Sequence, residues 1–97
     1  MPTYIGLLNW TDQGVRGFKE TVNRYQAAKE AFEAQGVRFR DVYWTMGETD
    51  IVAILDANDE AALAAVTLQL GAQGNLRTRM MRAFSEQEME GIVGKAG

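Results

Sequence analysis

Neither histidine nor cysteine occurs among the 97 residues. Those two gaps exclude zinc sites of the His/Cys kind, haem held by a proximal His or Cys, thiol nucleophiles, disulfides and any Ser-His-Asp triad. Proline is confined to Pro2, and no polar or low-complexity stretch reads as a linker. No apolar run reaches the roughly eighteen residues of a transmembrane helix, so no membrane partner is expected. An excess of positive charge is missing as well. Ten Lys and Arg stand against thirteen Asp and Glu, a formal net charge of −3. Domains built for phosphate backbones carry a strong basic excess, so no nucleic-acid partner is expected either. The opening MPTYIGLLNW lacks the positive start and cleavage site of a secretory signal, and a cytoplasmic location is the expectation.

What is present is ordinary for a soluble globular chain, with 46% hydrophobic and 24% charged residues. The length allows one domain, taken as residues 1–97. A chain this short buries only about 60 to 65% of the surface its unfolded form exposes. Stability by itself is therefore marginal.

Residues 3 to 9, TYIGLLN, are apolar and β-leaning, and Thr11-Asp12-Gln13-Gly14 reads as a turn. From Val15 to Gln35 the pattern is helical in two pieces. Thr21 is the expected N-cap of the second, which carries a stripe of Val22, Tyr25, Ala28 and Phe32 and ends at Gly36. Residues 37 to 46, VRFRDVYWTM, read as a second strand. Gly47-Glu48-Thr49 links it tightly to a third, Asp50 to Asp56, so those two strands must be antiparallel neighbours. Asn58 is placed to cap a helix bearing Leu63, Val66 and Leu70, which stops near Gly71 to Gly74. A fourth strand runs from Leu76 to Phe84. Ser85 with Glu88 forms a capping box for a short last helix. This order predicts an α+β fold, the ferredoxin-like β-α-β-β-α-β plan with a C-terminal helix.

Two helices cover only one face of a four-stranded sheet. If the other face met water, the strands would alternate apolar and polar. Ile51-Val52-Ala53-Ile54-Leu55 is apolar on both faces, and the first strand sets Ile5 and Leu7 against Tyr4 and Leu8. Strict alternation in the second strand groups Val37, Phe39 and Tyr43 against Val42, Trp44 and Met46. An apolar face of that size calls for a cover. The favoured cover is a second copy in a closed two-fold dimer, and the alternative is a C-terminal segment folded over the sheet.

Tyr4-Ile5-x-Leu7 with Thr11-Asp12-Gln13-Gly14, then Tyr43-Trp44-Thr45-x-Gly47-x-x-Asp50-Ile51-Val52, is the pattern through which the chain resembles the GYD-domain family. Asn75-Leu76-Arg77-Thr78 and Arg82-Ala83-Phe84-Ser85 extend the resemblance over about residues 3 to 90. It implies a dimeric α/β barrel, in which two ferredoxin-like chains join their sheets. The motif tyrosine falls at Thr49 and its preceding glycine at Glu48, while Gly47 and Asp50 remain. Relatives of the barrel include cofactor-free monooxygenases, isomerases, haem enzymes and effector-binding domains, so the resemblance carries no single activity.

Few residues can carry chemistry. Glu48 and Asp50 are the candidate catalytic pair, because two adjacent carboxylates can split their pKa values and move a proton on an enolisable ligand. The plainer reading is that Asp50 caps turn amides and Glu48 is solvated. Tyr4, Asn9, Trp10, Tyr43 and Trp44 are candidate ligand contacts, or else core and interface aromatics. Tyr43 and Trp44 point to opposite faces, so at most one lines a barrel interior. Arg77 and Arg79 share a face of the fourth strand, as Arg38 and Arg40 do on the second. They suit either clamping a carboxylate ligand or guarding a sheet edge. Met46, Met80, Met81 and Met89 read as core filling, with an adaptable pocket lining as the alternative. No D-x-D-x-D spacing and no phosphate loop appear, and neither a metal nor a cofactor is expected.

The functions this allows come in order. First is a small-molecule-binding or sensing module on a dimeric barrel, holding a small organic ligand. Second is a cofactor-independent enzyme, an isomerase or monooxygenase acting on an activated organic substrate. Third is an assembly or interaction protein. In each case the working unit is a homodimer or higher homo-oligomer.

Overall fold

The computed structural model describes residues 1–97. Strand β1 (Thr3–Trp10) leads into a short helix α1 (Asp12–Arg16), a 3-10 turn (Phe18–Glu20) and helix α2 (Thr21–Ala34). Then come β2 (Val37–Trp44), β3 (Ile51–Ala57), α3 (Glu60–Ala72), β4 (Leu76–Ala83) and α4 (Glu86–Ala96). The strands lie in the order β2-β3-β1-β4, every neighbouring pair antiparallel. This is the expected α+β, ferredoxin-like plan.

Local chemistry explains the element ends, with three corrections. Thr11 to Gly14 is more than a turn. Thr11 is extended, and its Oγ1 accepts the Gly14 N–H at 3.1 Å, which satisfies a first-turn amide and lets α1 form. Thr21 starts α2 but does not cap it, because its hydroxyl accepts from Trp44 Nε1 at 3.0 Å. Asp59, not Asn58, caps α3: its carboxylate accepts from the Ala61 and Ala62 amides at 2.9 and 3.2 Å. A negative charge at a helix start gains from the dipole as well. Gly36 ends α2 at φ 79°, a conformation that favours glycine.

The capping box of α4 forms as expected. Ser85 Oγ accepts the Glu88 N–H and Glu88 Oε1 accepts the Ser85 N–H, both at 3.1 Å. The bond from the Ser85 amide, aided by Arg82, holds the Glu88 carboxyl below its ordinary value of 4.5. A group whose pKa is lowered by folding stabilises above its unfolded value and loses that stabilisation as pH falls through the folded one. The amides of α4 are therefore expected to keep their exchange protection down to about pH 4.5. Below that they lose it, and Glu88→Gln removes the dependence. Protection unchanged by titration into strong acid would contradict the box.

The core lies between the sheet and the helices. Leu55, Val37 and Val66 are its largest fully buried side chains, joined by Ala57, Phe32, Leu63, Tyr4, Leu8, Ile51 and Ala53. Tyr25 meets Phe39 and Trp44 edge to face, at 5.5 and 5.7 Å between ring centres. Val22, expected on the buried stripe of α2, is exposed. The methionines also depart from expectation: Met80 packs on the core, but Met46 is wholly exposed and Met81 and Met89 are about half exposed. Strand β2 departs from strict alternation. A bulge between Phe39 and Asp41 inserts one residue, Arg40. Val37, Phe39, Val42 and Trp44 therefore all share the helix side, paired with Ala57, Leu55, Ala53 and Ile51, while Tyr43 turns to the other face.

Candidate functional site

The face of the sheet opposite the helices is built by strand parity. Tyr4, Leu8, Ile51, Ala53 and Leu55 point into the core. Their neighbours Ile5, Leu7, Val52 and Ile54 must point away. The strand registers arrange this open face in rows. Asn9 and Arg77 form the first, beside the β2–β3 connection. Tyr43, Val52, Leu7 and Arg79 form the second. Asp41, Ile54, Ile5 and Met81 follow, and Arg38, Asp56, Thr3 and Ala83 close the far end. Its centre is apolar and both ends are polar, while Tyr43 stays 57% exposed at one border.

At the first row a polar corner is tied together by Asp50. Its Oδ2 accepts the Trp10 N–H at 2.9 Å and Asn9 Nδ2 at 3.4 Å. Its own N–H donates to Leu8 O at 3.0 Å. Asn9 Nδ2 also donates to the Glu48 carbonyl, and Asn9 Oδ1 accepts from Arg79 Nη2 at 3.5 Å. The carboxylate of Asp50 thus closes the turn onto the end of β1, while Glu48 is exposed. At the opposite end Asp56 is buried but satisfied: Thr3 Oγ1 donates to it at 3.0 Å, and Arg40 Nε lies 3.9 Å away.

The nine candidate residues therefore do not make one site. Asn9, Glu48, Asp50, Arg77 and Arg79 meet at one corner of the open face, with Tyr43 across the sheet from them. Tyr4, Trp10 and Trp44 lie on the helix side, since they sit at odd separations from the first group along their strands. Trp10 and Trp44 line an apolar pocket of about 40 Å³ with Tyr25, Phe39, Val42 and Ile51. An apolar cavity that admits benzene is nearer 150 Å³. This one is too small to enclose an organic substrate.

Tyr4 belongs to a knot that the sequence patterns did not suggest. Its hydroxyl donates to Glu60 Oε1 at 3.0 Å, and the Arg82 guanidinium lies 5.7 Å from its ring centre and 4.4 Å from that of Phe84. Burial, then the bond to Glu60 and its charge, raise the Tyr4 pKa above 10.0, with Arg82 opposing. Tyr4 is thus a neutral donor at physiological pH, already engaged. Gly14 was also missed as a close-approach position, although a glycine inside a helical segment is its usual signal. No group of three or more acids is gathered closely enough to hold a metal ion. No helix is long and apolar enough to cross a membrane.

Comparison with known proteins agrees with this architecture. The glutamine synthetase and cystathionine beta-lyase binding protein of Thermus thermophilus is 31% identical over 85 residues, spanning 87% of this chain and 90% of that protein. The crystal structure of TTHA0845 from Thermus thermophilus superposes with a TM-score of 0.54 at 29% identity, over 88% of this chain and 95% of that one. The crystal structure of MtbAldR superposes with a TM-score of 0.66 at 16% identity, over 88% of this chain. There the likeness is one of fold, and this chain spans about half of that protein, 52% of its length. The sequence also matches the GYD domain over residues 4–93. The chain belongs to the GYD-domain family.

Proposed function

We propose that the chain is a non-catalytic binding module, that its working unit is a homodimer closed through the open sheet face, and that its ligand is another protein. The observation that carries this is the apolar centre of that face, Ile5, Leu7, Val52 and Ile54. Contiguous apolar surface on a soluble chain marks an interaction site. The sheet edges are poor alternatives: β2 is bulged at Arg40 and β4 presents Arg77 and Arg79, and both devices discourage edge-to-edge pairing. Two such faces related by a two-fold axis close on each other as a dimeric α/β barrel.

A protein ligand is supported by the Thermus relative, which is named for binding glutamine synthetase and cystathionine beta-lyase. The small volume beside Trp10 supports it too. A second reading, a small carboxylate ligand at the polar corner, draws on Arg77 and Arg79, which are exposed and pair with no acid within the chain. The enzyme reading draws least support, because one oxygen of the Asp50 carboxylate, Oδ2, is engaged by both the Trp10 and Asn9 donors.

Sedimentation of the purified chain is expected to give twice the 10.8 kDa monomer mass. Ile54→Asp should give the monomer with its circular dichroism intact. The dimer should bind glutamine synthetase or cystathionine beta-lyase of its own organism in titration calorimetry. A wild-type mass of one chain at micromolar concentration would sink the dimer, and silence with both enzymes would remove those two as ligands.

A further inference from the structure

The open face differs from one border to the other. Strand β4 brings Arg77 and Arg79 to one border, and β2 brings Tyr43 and Asp41 to the other. Between them the apolar centre sits on the two middle strands, with Ile5 and Leu7 on β1 and Val52 and Ile54 on β3. Arg77, Arg79 and Asp41 take no part in the chain's own ion pairs, which are Arg40–Asp56 and Arg82–Glu88. Each border thus carries charge that has no ionic partner within the chain.

Area by itself holds such a face closed only weakly. Four strands about 4.8 Å apart and four rows about 6.8 Å apart give about 500 Å² on each copy. Two copies cover about 1,000 Å², the lower bound for a specific interface. At that size the borders decide. Two orientations lay one apolar centre on the other about a two-fold axis. An axis across the strands lays each border on itself and reverses the rows. Arg79 then faces the partner's Met81, one row from the partner's Arg79, and the two Asp41 side chains approach in the same way. Like charges meeting at each border disfavour that orientation.

An axis along the strands, between β1 and β3, instead lays β4 of each copy over β2 of the other. Rotation about such an axis leaves every row at its own height, so symmetry itself fixes the register. Val52 then meets the partner's Leu7, Ile54 meets the partner's Ile5, and Arg79 meets the partner's Tyr43. We infer that the dimer axis runs along the strands and that Arg79 of each copy stacks on Tyr43 of the partner subunit. This rests on the dimer proposed above. A guanidinium over a phenol ring is a favourable pair, and Arg and Tyr are frequent anchors of interfaces. Arg79 is held ready for it. Its Nη2 donates to Asn9 Oδ1 at 3.5 Å, and Asn9 in turn donates to Asp50. Hydrogen bonds of a guanidinium lie in its plane, which leaves the flat faces for a ring. An angle of about 30° between packed sheets offsets the borders by about half a row, which a long arginine side chain spans.

Cross-linking reads the orientation directly, because the chain has no cysteine of its own. Asp41 and Met81 lie in one row at opposite borders, and like Tyr43 and Arg79 they are exposed in the single chain. Full-length chains carrying Asp41→Cys are mixed with chains carrying Met81→Cys and treated with a short bis-maleimide. The expected product joins position 41 of one copy to position 81 of the other, and Met81→Cys by itself should give little. In sedimentation equilibrium, Tyr43→Lys and Arg79→Glu are each expected to weaken the dimer about tenfold. Together they should bring it back to within about threefold of wild type, because each border regains an opposite pair. Predominant links between two copies of position 81 overturn the orientation while the dimer stands. Wild-type affinity in both single variants, or weakening without rescue, overturns the Arg79 contact. A dimer that gives neither link closes elsewhere, and a wild-type mass of one chain removes the dimer itself; either result overturns both proposals.

Discussion

Gly14→Ala is expected to cost about 3 kcal/mol of stability, enough to lower the melting temperature of a chain this size by about 12 °C or more. Gly14 is buried in α1, against the connection between α3 and β4. A Cβ there would overlap Asn75 O and stand 2.9 Å from its carbonyl carbon and 3.2 Å from its Cα. Those are backbone atoms, so no side chain can swing away. The connection cannot retreat cheaply either. Asn75 O accepts the Thr11 N–H at 3.1 Å, Thr11 Oγ1 donates to Gly74 O, and Gln13 Nε2 donates to Gln73 O and Asn75 Oδ1, each at 3.0 Å. Relief would require α1 to lift away or the start of β4 to move, which would carry Arg77 with it. Thermal and urea unfolding measure the effect, and a melting temperature within about 2 °C of wild type would refute the close approach.

The second large effect is at Asp50. Replacing it with Ala removes the acceptor of the Trp10 N–H and of Asn9 Nδ2, and is expected to cost about 2 kcal/mol, the range for hydrogen bonds to a charged group. Asp50→Asn keeps one carbonyl acceptor and should cost about half as much. That ordering separates a structural carboxylate from a catalytic one. A general base fails as completely in Asn as in Ala, whereas a turn closure fails by degrees. Urea unfolding of both variants decides between them. Equal stability of wild type and Asp50→Ala would leave the turn closed by something else and return Asp50 to the candidate bases.

These two sites show how unevenly the molecule could be read in advance. The order of elements was legible because each has a local cause: β-branched and aromatic runs for strands, a glycine at φ 79° for the end of α2, Ser85 and Glu88 for the start of α4. The resemblance to the family was legible in segments spread along the chain. The apolar character of the second sheet face was legible from one strand, because Ile51 to Leu55 is apolar at every position. Where a choice turns on a single hydrogen bond, the sequence alone does not make it. Asn58 and Asp59 are both good caps, and only the backbone path selects Asp59.

The candidate site was harder still. Tyr43 and Trp44 are adjacent, so each had to face a different way, but the bulge at Arg40 decides which. One inserted residue inverts every side chain after it, and a bulge in this strand has no glycine to announce it. Asn9 and Asp50 lie far apart in sequence and meet because β1 and β3 are neighbours in register, which joins the turn to the strand end. Residue type groups Tyr4 and Trp10 with them, yet parity sends them to the core side.

Sequence alone therefore settled the absences. Without histidine or cysteine, no fold of this chain could build the sites those side chains form. It also settled the elements and the two-sided hydrophobicity, because composition and periodicity act over neighbouring residues. Tertiary structure decided which residues share a face, which charges are already paired and which remain free. Those outcomes depend on register, on one bulge and on backbone atoms meeting across the molecule, and none of these is a property of any short stretch of sequence.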